Sequence, residues 1–144
     1  MVRAGLWRGS TLAESTPKPA RSRTPLGTHH RLLSFVYLGS FLDDWANLAL
    51  NETDLEVLEK LIMNQPEVGV VIPGTAGLRK MRFASTKGNK GKSGSERVCY
   101  ALFPTPGLAL MVAVYGKGEK DNLTAVERNA VKAMLTRYKA QLRS

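Results

Sequence analysis

Apolar positions along the chain change their spacing several times, and each change marks a different kind of element. From Arg31 the run RLLSFVYL is short, apolar and aromatic, which is the composition of a strand. Ser40 and Asp43 then stand at capping-box spacing, and Phe41, Leu42, Trp45, Leu48 and Ala49 recur on one helical face. This predicts a brief first helix. Thr53 and Glu56 repeat the capping spacing ahead of Leu55, Leu58, Leu61 and Ile62, which predicts a second helix that Pro66 stops. Together they make a helical hairpin whose outer face is expected to carry the acidic residues.

From Val68 the period falls to that of strands. VGVVI, LRKMRFAS, RVCYALF and LALMVAVYG are separated by the turn signals PGTAG, TKGNKGKSGSE and PTPG. Links this short predict an antiparallel meander, because parallel neighbours need crossovers of about a dozen residues or more. Thr124 and Glu127 make a third capping pair before Val126, Ala130, Val131, Met134, Leu135 and Tyr138, which share one face of a C-terminal helix. The fold class that follows is α/β in the α+β sense: an N-terminal strand, a helical hairpin, an antiparallel meander and a final helix.

Residues 1–30 mix Ser, Thr, Pro, Arg and Gly with no sustained period, and read as a disordered basic tail ahead of one domain over residues 31–144. A start codon assigned too far upstream and an unstructured basic arm both account for such a tail. Its Arg- and Ser-rich, acid-poor composition also suits an organelle transit peptide, though it lacks an amphipathic helix. No apolar run approaches the eighteen or so residues of a spanning helix. The single cysteine, Cys99, excludes a disulfide within one chain and fits a reducing compartment, here the cytoplasm.

Charge changes the picture more than composition does. The formal net charge of +9 puts nucleic acid, an acidic protein or an anionic membrane surface on the list of partners. Residues 31–78 hold Arg31 and Lys60 against seven carboxylates, whereas residues 79–144 hold fourteen Lys or Arg against four. The domain is therefore acidic in front and basic behind. Seven cations, Arg79, Lys80, Arg82, Lys87, Lys90, Lys92 and Arg97, fall in nineteen residues against Glu96 alone.

Within LRKMRFAS, alternation places Met81 and Phe83 on one face and Lys80 and Arg82 on the other. Two readings of those cations stand: a solvated sheet face, or a platform for an anion. The loop lysines and Arg97 favour the second, because clustered like charges repel unless an anion sits among them. The Gly- and Ser-rich loop GNKGKSGS adds free backbone amides suited to a phosphate backbone. After the last strand, YGKGEKDNLT brings Tyr115, Lys117 and Lys120. Tyr115 could stack on a base or move a proton, or be a strand-end aromatic; the two lysines could stabilise developing negative charge, or be a solvated loop. GKS at Gly91 to Ser93 fails as a phosphate loop, since Thr86 stands where that motif needs Gly. His29 and His30 have no thiol or carboxylate cluster near them, which argues against a metal site. Trp45, Leu48 and Leu58 read as core, and Asp43 and Asp44 as charges favouring a helix N-terminus.

The pieces PEVGVVIPGTAGLRKMRFA, the Gly/Lys/Ser loop, ERVCYALF and AVYGKGEKDNLTAVERNAVKAML, in this order, resemble the RelE/HigB-type toxins of type II toxin-antitoxin systems, especially the HigB branch. The resemblance covers roughly two-thirds of the chain. It implies a helical hairpin and a C-terminal helix packed on an antiparallel sheet, and an mRNA interferase that cuts messages in the ribosomal A site. It implies no metal or cofactor: a ribose 2′-hydroxyl attacks the adjacent phosphate while basic residues stabilise the charge. Carried onto this sequence, the family's Lys-x-Lys/Arg pair falls on Lys80 and Arg82, its strand-opening Arg on Arg97, and its late basic residue on Lys117 or Lys120. The implied partners are a cognate antitoxin with a helix-turn-helix domain, the ribosome and mRNA. Two departures stand out. Some relatives use a late His or Tyr as base, yet no His lies in the folded part and Tyr138 reads as helix core, which leaves the proton acceptor unassigned. The family also normally begins close to its first strand, without a basic tail.

Overall fold

The structure, a computed structural model, describes residues 21–22, 33–84, 96–105, 107–116 and 122–143. Its strands are β1 (Arg21–Ser22), β2 (Ser34–Tyr37), β3 (Val70–Val71), β4 (Arg79–Phe83), β5 (Glu96–Phe103) and β6 (Leu108–Gly116). The helices are α1 (Phe41–Asn47), α2 (Glu52–Asn64) and α3 (Ala125–Arg143). The architecture is the α+β one that the sequence predicts.

The strands form one sheet in the order β1-β2-β6-β5-β4-β3. Residues from β3 to β6 make the antiparallel meander expected of their short links. β2 joins it parallel to β6, with Phe35 opposite Ala109. That parallel pair needs a long crossover, and the helices and meander between the two strands supply it. β1, within the stretch read as a tail, pairs antiparallel with β2; the rest of residues 1–30 lies outside the described residues.

Alternation divides the core into two layers. On one face α1 and α2 cover Phe35, Tyr37, Met81, Phe83, Val98, Tyr100 and Met111; on the other α3 covers Val36, Cys99, Ala101, Phe103, Leu110 and Val112. Trp45 and Leu58 belong to the first layer, with Leu48 packed at its edge. Val131, Met134 and Leu135 of α3 are buried in the second, and Tyr138 stacks on Phe103 with ring centroids 5.5 Å apart. Each fully buried Leu or Met contributes about 1.5–3 kcal/mol. Between Cys99 and Tyr100 the β5–β6 register shifts, and Val112 and Ala113 consequently face the same layer.

The caps depart from the predicted ones in two helices of three. Ser40 precedes α1 but makes no side-chain cap; its hydroxyl instead donates to Asp44 at 3.1 Å. α1 ends early because Ala49 turns to φ 63°, which lets Leu50 N–H reach Trp45 O and Ala49 N–H reach Ala46 O. α2 is capped by Asn51 and Asp54 in a reciprocal box, two residues before the predicted Thr53 and Glu56. Only Thr124 and Glu127, ahead of α3, form the box read from the sequence. The acidic residues are also less outward than expected: Asp44, Asp54 and Glu59 are buried, and the Tyr37 hydroxyl donates to Glu59. No described helix is long and apolar enough to cross a membrane.

Candidate nucleic-acid interface

Strand register decides which basic residues meet. Arg82 lies directly opposite Arg97, and Arg97 directly opposite Tyr115, so these three share one face across β4, β5 and β6. Lys80, two positions from Arg82, shares that face and pairs with Cys99 on one side and Val70 on the other. Met81 and Phe83 are buried on the hairpin side, while Arg82 is exposed and Lys80 and Arg97 are half-buried. This separation is the one predicted from alternation. Like charges directly opposed across a sheet repel at Cβ separations of about 5 Å. An anion between Arg82 and Arg97 would relieve that repulsion.

The cations border an open depression of about 580 Å³ lined by Val68, Val70, Lys80, Met81, Arg82 and Arg97. No carboxylate is among these residues. The valines were not foreseen as part of a site, because VGVVI reads simply as a strand. Their signal lay in the exposure of the two-residue edge strand that holds Val70 and of the residue two before it, which periodicity does not report.

Arg79 belongs elsewhere. Alternation turns it away from Lys80 and Arg82, and its Nη1 donates to the Gly69 carbonyl at 2.7 Å and the Glu67 carbonyl at 3.4 Å. Tyr100, opposite Arg79 on β5, completes a latch: its hydroxyl donates to Pro66 O at 2.8 Å and accepts from Gly69 N–H at 2.9 Å. Burial pushes the Tyr100 phenol up, countered by the Gly69 hydrogen bond and by Arg79. Gly69 is required by close approach, since a Cβ there would lie 2.9 Å from Tyr100 Cε1 and 3.0 Å from Arg79 Cβ. Arg79, expected to contact RNA, thus has its Nη1 engaged by backbone carbonyls on the hairpin face.

Tyr115 is placed where its neighbours predict but not as an exposed ring. It is 2% exposed and packs with Leu123 and Val131 under α3, so its face is not offered to a base. Burial and the adjoining Cys99 thiol push its phenol far up, opposed by Arg97. A neutral phenol so buried is a poor proton acceptor. Glu96, on the hairpin face beside Arg97, is also raised, by burial and by Asp54, against the lowering effect of Arg97.

Lys87, Lys90 and Lys92 of the Gly/Lys/Ser loop, and Lys117 and Lys120 after β6, lie outside the described residues. Of the ten residues singled out in the sequence, the structure therefore gathers Lys80, Arg82 and Arg97, with Tyr115 beneath them and Arg79 facing the other way. Among the described residues no cluster of His, Cys, Asp and Glu could hold a metal ion.

No protein-family model matches the chain. Among solved structures it is similar to a mutant of the E. coli toxin RelE in the free state, with 20% sequence identity and a TM-score of 0.45 over 69% of this chain and 95% of that one.

Proposed function

We propose that this chain is a toxin of the RelE/HigB type, an endoribonuclease that cuts mRNA on the ribosome in the cytoplasm and is held in check by a cognate antitoxin, of helix-turn-helix type. The observation that carries the reading is the convergence of Lys80, Arg82 and Arg97 on one sheet face at an open depression that, among the described residues, no carboxylate lines. In the reaction, a ribose 2′-oxygen attacks the adjacent phosphorus and loses its proton. The bond to the 5′-oxygen breaks, and that oxygen takes up a proton, leaving a 2′,3′-cyclic phosphate and a 5′-hydroxyl. Negative charge grows on the phosphoryl oxygens on the way, and the guanidinium and ammonium groups that the sheet brings to one face oppose it. Lys117 and Lys120 are the further basic residues proposed for this work, and Lys87, Lys90 and Lys92 for gripping the strand.

One observation favours a second reading, a catalytically inactive module that only binds RNA or a partner. Tyr115 is buried and its phenol is held in the neutral form, and among the described residues no carboxylate or imidazole lines the depression to accept the 2′-proton. One experiment separates the two. Purified protein is added to programmed ribosomes and to the same mRNA alone, and the message is mapped for new ends. Cleavage is expected only with ribosomes, and Lys80→Ala/Arg82→Ala is expected to lower its rate by about 100-fold or more. Salt-sensitive binding without new ends would establish the second reading, and full cleavage by the double variant would refute the site.

A further inference from the structure

We propose that Val68 and Val70 form a nucleobase subsite, so that the depression takes single-stranded RNA with a base laid on the valines and its phosphate on Lys80, Arg82 and Arg97. This rests on the RNA-binding reading above and adds to it what the groove recognises besides charge.

Three observations carry it. First, Val70 is 73% exposed and Val68 39%, and both line the same depression as the cations. Val70 is the direct cross-strand partner of Lys80. Paired side chains have Cβ atoms about 5 Å apart. An apolar surface and a cation are therefore immediate neighbours, as the base and phosphate of one nucleotide are.

Second, the valines are held in place from behind. The Tyr100 hydroxyl bonds to Pro66 O and Gly69 N–H, and Arg79 Nη1 bonds to Gly69 O. All three bonds fix the backbone at or beside Val68 and Val70 from the opposite face of the sheet. Gly69, between the valines, allows the Tyr100 ring within a distance that any Cβ would obstruct. A surface already ordered loses little entropy when it binds.

Third, the mixture of groups selects the ligand. An apolar peptide would gain from the valines but make no use of the positive charge that Lys80, Arg82 and Arg97 bring to the same depression. A duplex would satisfy the cations, but its base faces are stacked on one another and unavailable. A single strand satisfies both, since an unstacked base presents an apolar face beside its own phosphate.

The test compares two probes of equal length and charge, both cleavage-proof through 2′-O-methylation: a mixed-sequence oligoribonucleotide and the same backbone without bases. Fluorescence anisotropy with the full chain at fixed salt is expected to show at least about fivefold tighter binding of the base-bearing strand. Val68→Ser/Val70→Ser should bring that ratio close to one. Val70→Tyr, which enlarges the flat surface, should raise it. Lys80→Gln/Arg82→Gln should weaken both probes together and keep the ratio. A wild-type ratio of one, or a ratio unmoved by the valine variants, overturns the base subsite while leaving the cationic groove intact. If neither probe binds in a salt-sensitive way, the RNA-binding reading fails and the subsite fails with it.

Discussion

Tyr100 shows how one hydroxyl can govern a wall of the groove from the other side of the sheet. Its ring is fully buried, and the hydroxyl is both donor to Pro66 O and acceptor for Gly69 N–H. Tyr100→Phe keeps the ring packing and deletes both bonds, stranding the half-buried Pro66 carbonyl and the buried Gly69 amide. Leaving such groups unsatisfied costs about 1–3 kcal/mol. The variant is expected to lose about that much stability in urea unfolding with an unchanged slope, and amide exchange at Gly69 should speed up. A loss below about 0.5 kcal/mol would mean that water replaces the hydroxyl and that the latch does not hold the loop. Val70 and Arg82 have no comparable task inside the fold. Both are exposed at the depression, where the proposed RNA groove would use them.

At the scale of elements, the caps separate what periodicity carries from what geometry adds. All three predicted pairs have capping-box spacing, yet only Thr124 and Glu127 form a box at 2.9 and 3.1 Å. Ser40→Ala should consequently change stability little, whereas Thr124→Ala should cost about 1 kcal/mol, read as the difference in urea midpoints. Equal losses would contradict the assignment. The reason for the misreading is local. Asn51 competes for the start of α2 with its own Asp54 three residues on, a pair equally visible in the sequence but displaced by Thr53 and Glu56. The alternation of β4 was legible in full, because a strand with one buried face must repeat every two residues and Met81 and Phe83 obey it. That Lys80 and Arg82 face the open depression while Arg79 turns away follows from the same rule. What alternation could not supply is long-range: the pairing of Arg82 with Arg97, the latch from Tyr100 to Gly69, and the parallel docking of β2 on β6 all join residues far apart in the chain. Tyr115 was placed at the right strand end, but its depth depends on α3, whose docking a single strand's pattern does not reveal.

For the whole molecule, the sheet acts as a divider between opposite charges. α2 carries four carboxylates against Lys60 on one side, and α3 carries five cations against Glu127 on the side that also bears Lys80, Arg82 and Arg97. A polyanion approaching the α3 side meets attraction without the opposing field of the hairpin close by, which favours one orientation of encounter. The number of charges in actual contact can be read from salt dependence. Each phosphate neutralised on a single strand adds about 0.7 to the slope of log affinity against log salt. If the three groove cations contact RNA, replacing all of them with Gln should reduce that slope by about 2, measured by anisotropy over a salt series with the full chain. Removing Arg79 in the same way should leave the slope in place, because its guanidinium is bonded to the Gly69 and Glu67 carbonyls. A slope that stays unchanged in the triple variant would transfer the binding to the other cations of the chain, such as those of α3, and would empty the groove of its proposed role. The reverse pattern, a fall with Arg79 and none with Lys80, Arg82 and Arg97, would place the RNA on the hairpin face, against the acidic side of the sheet, where the charge distribution makes it least stable.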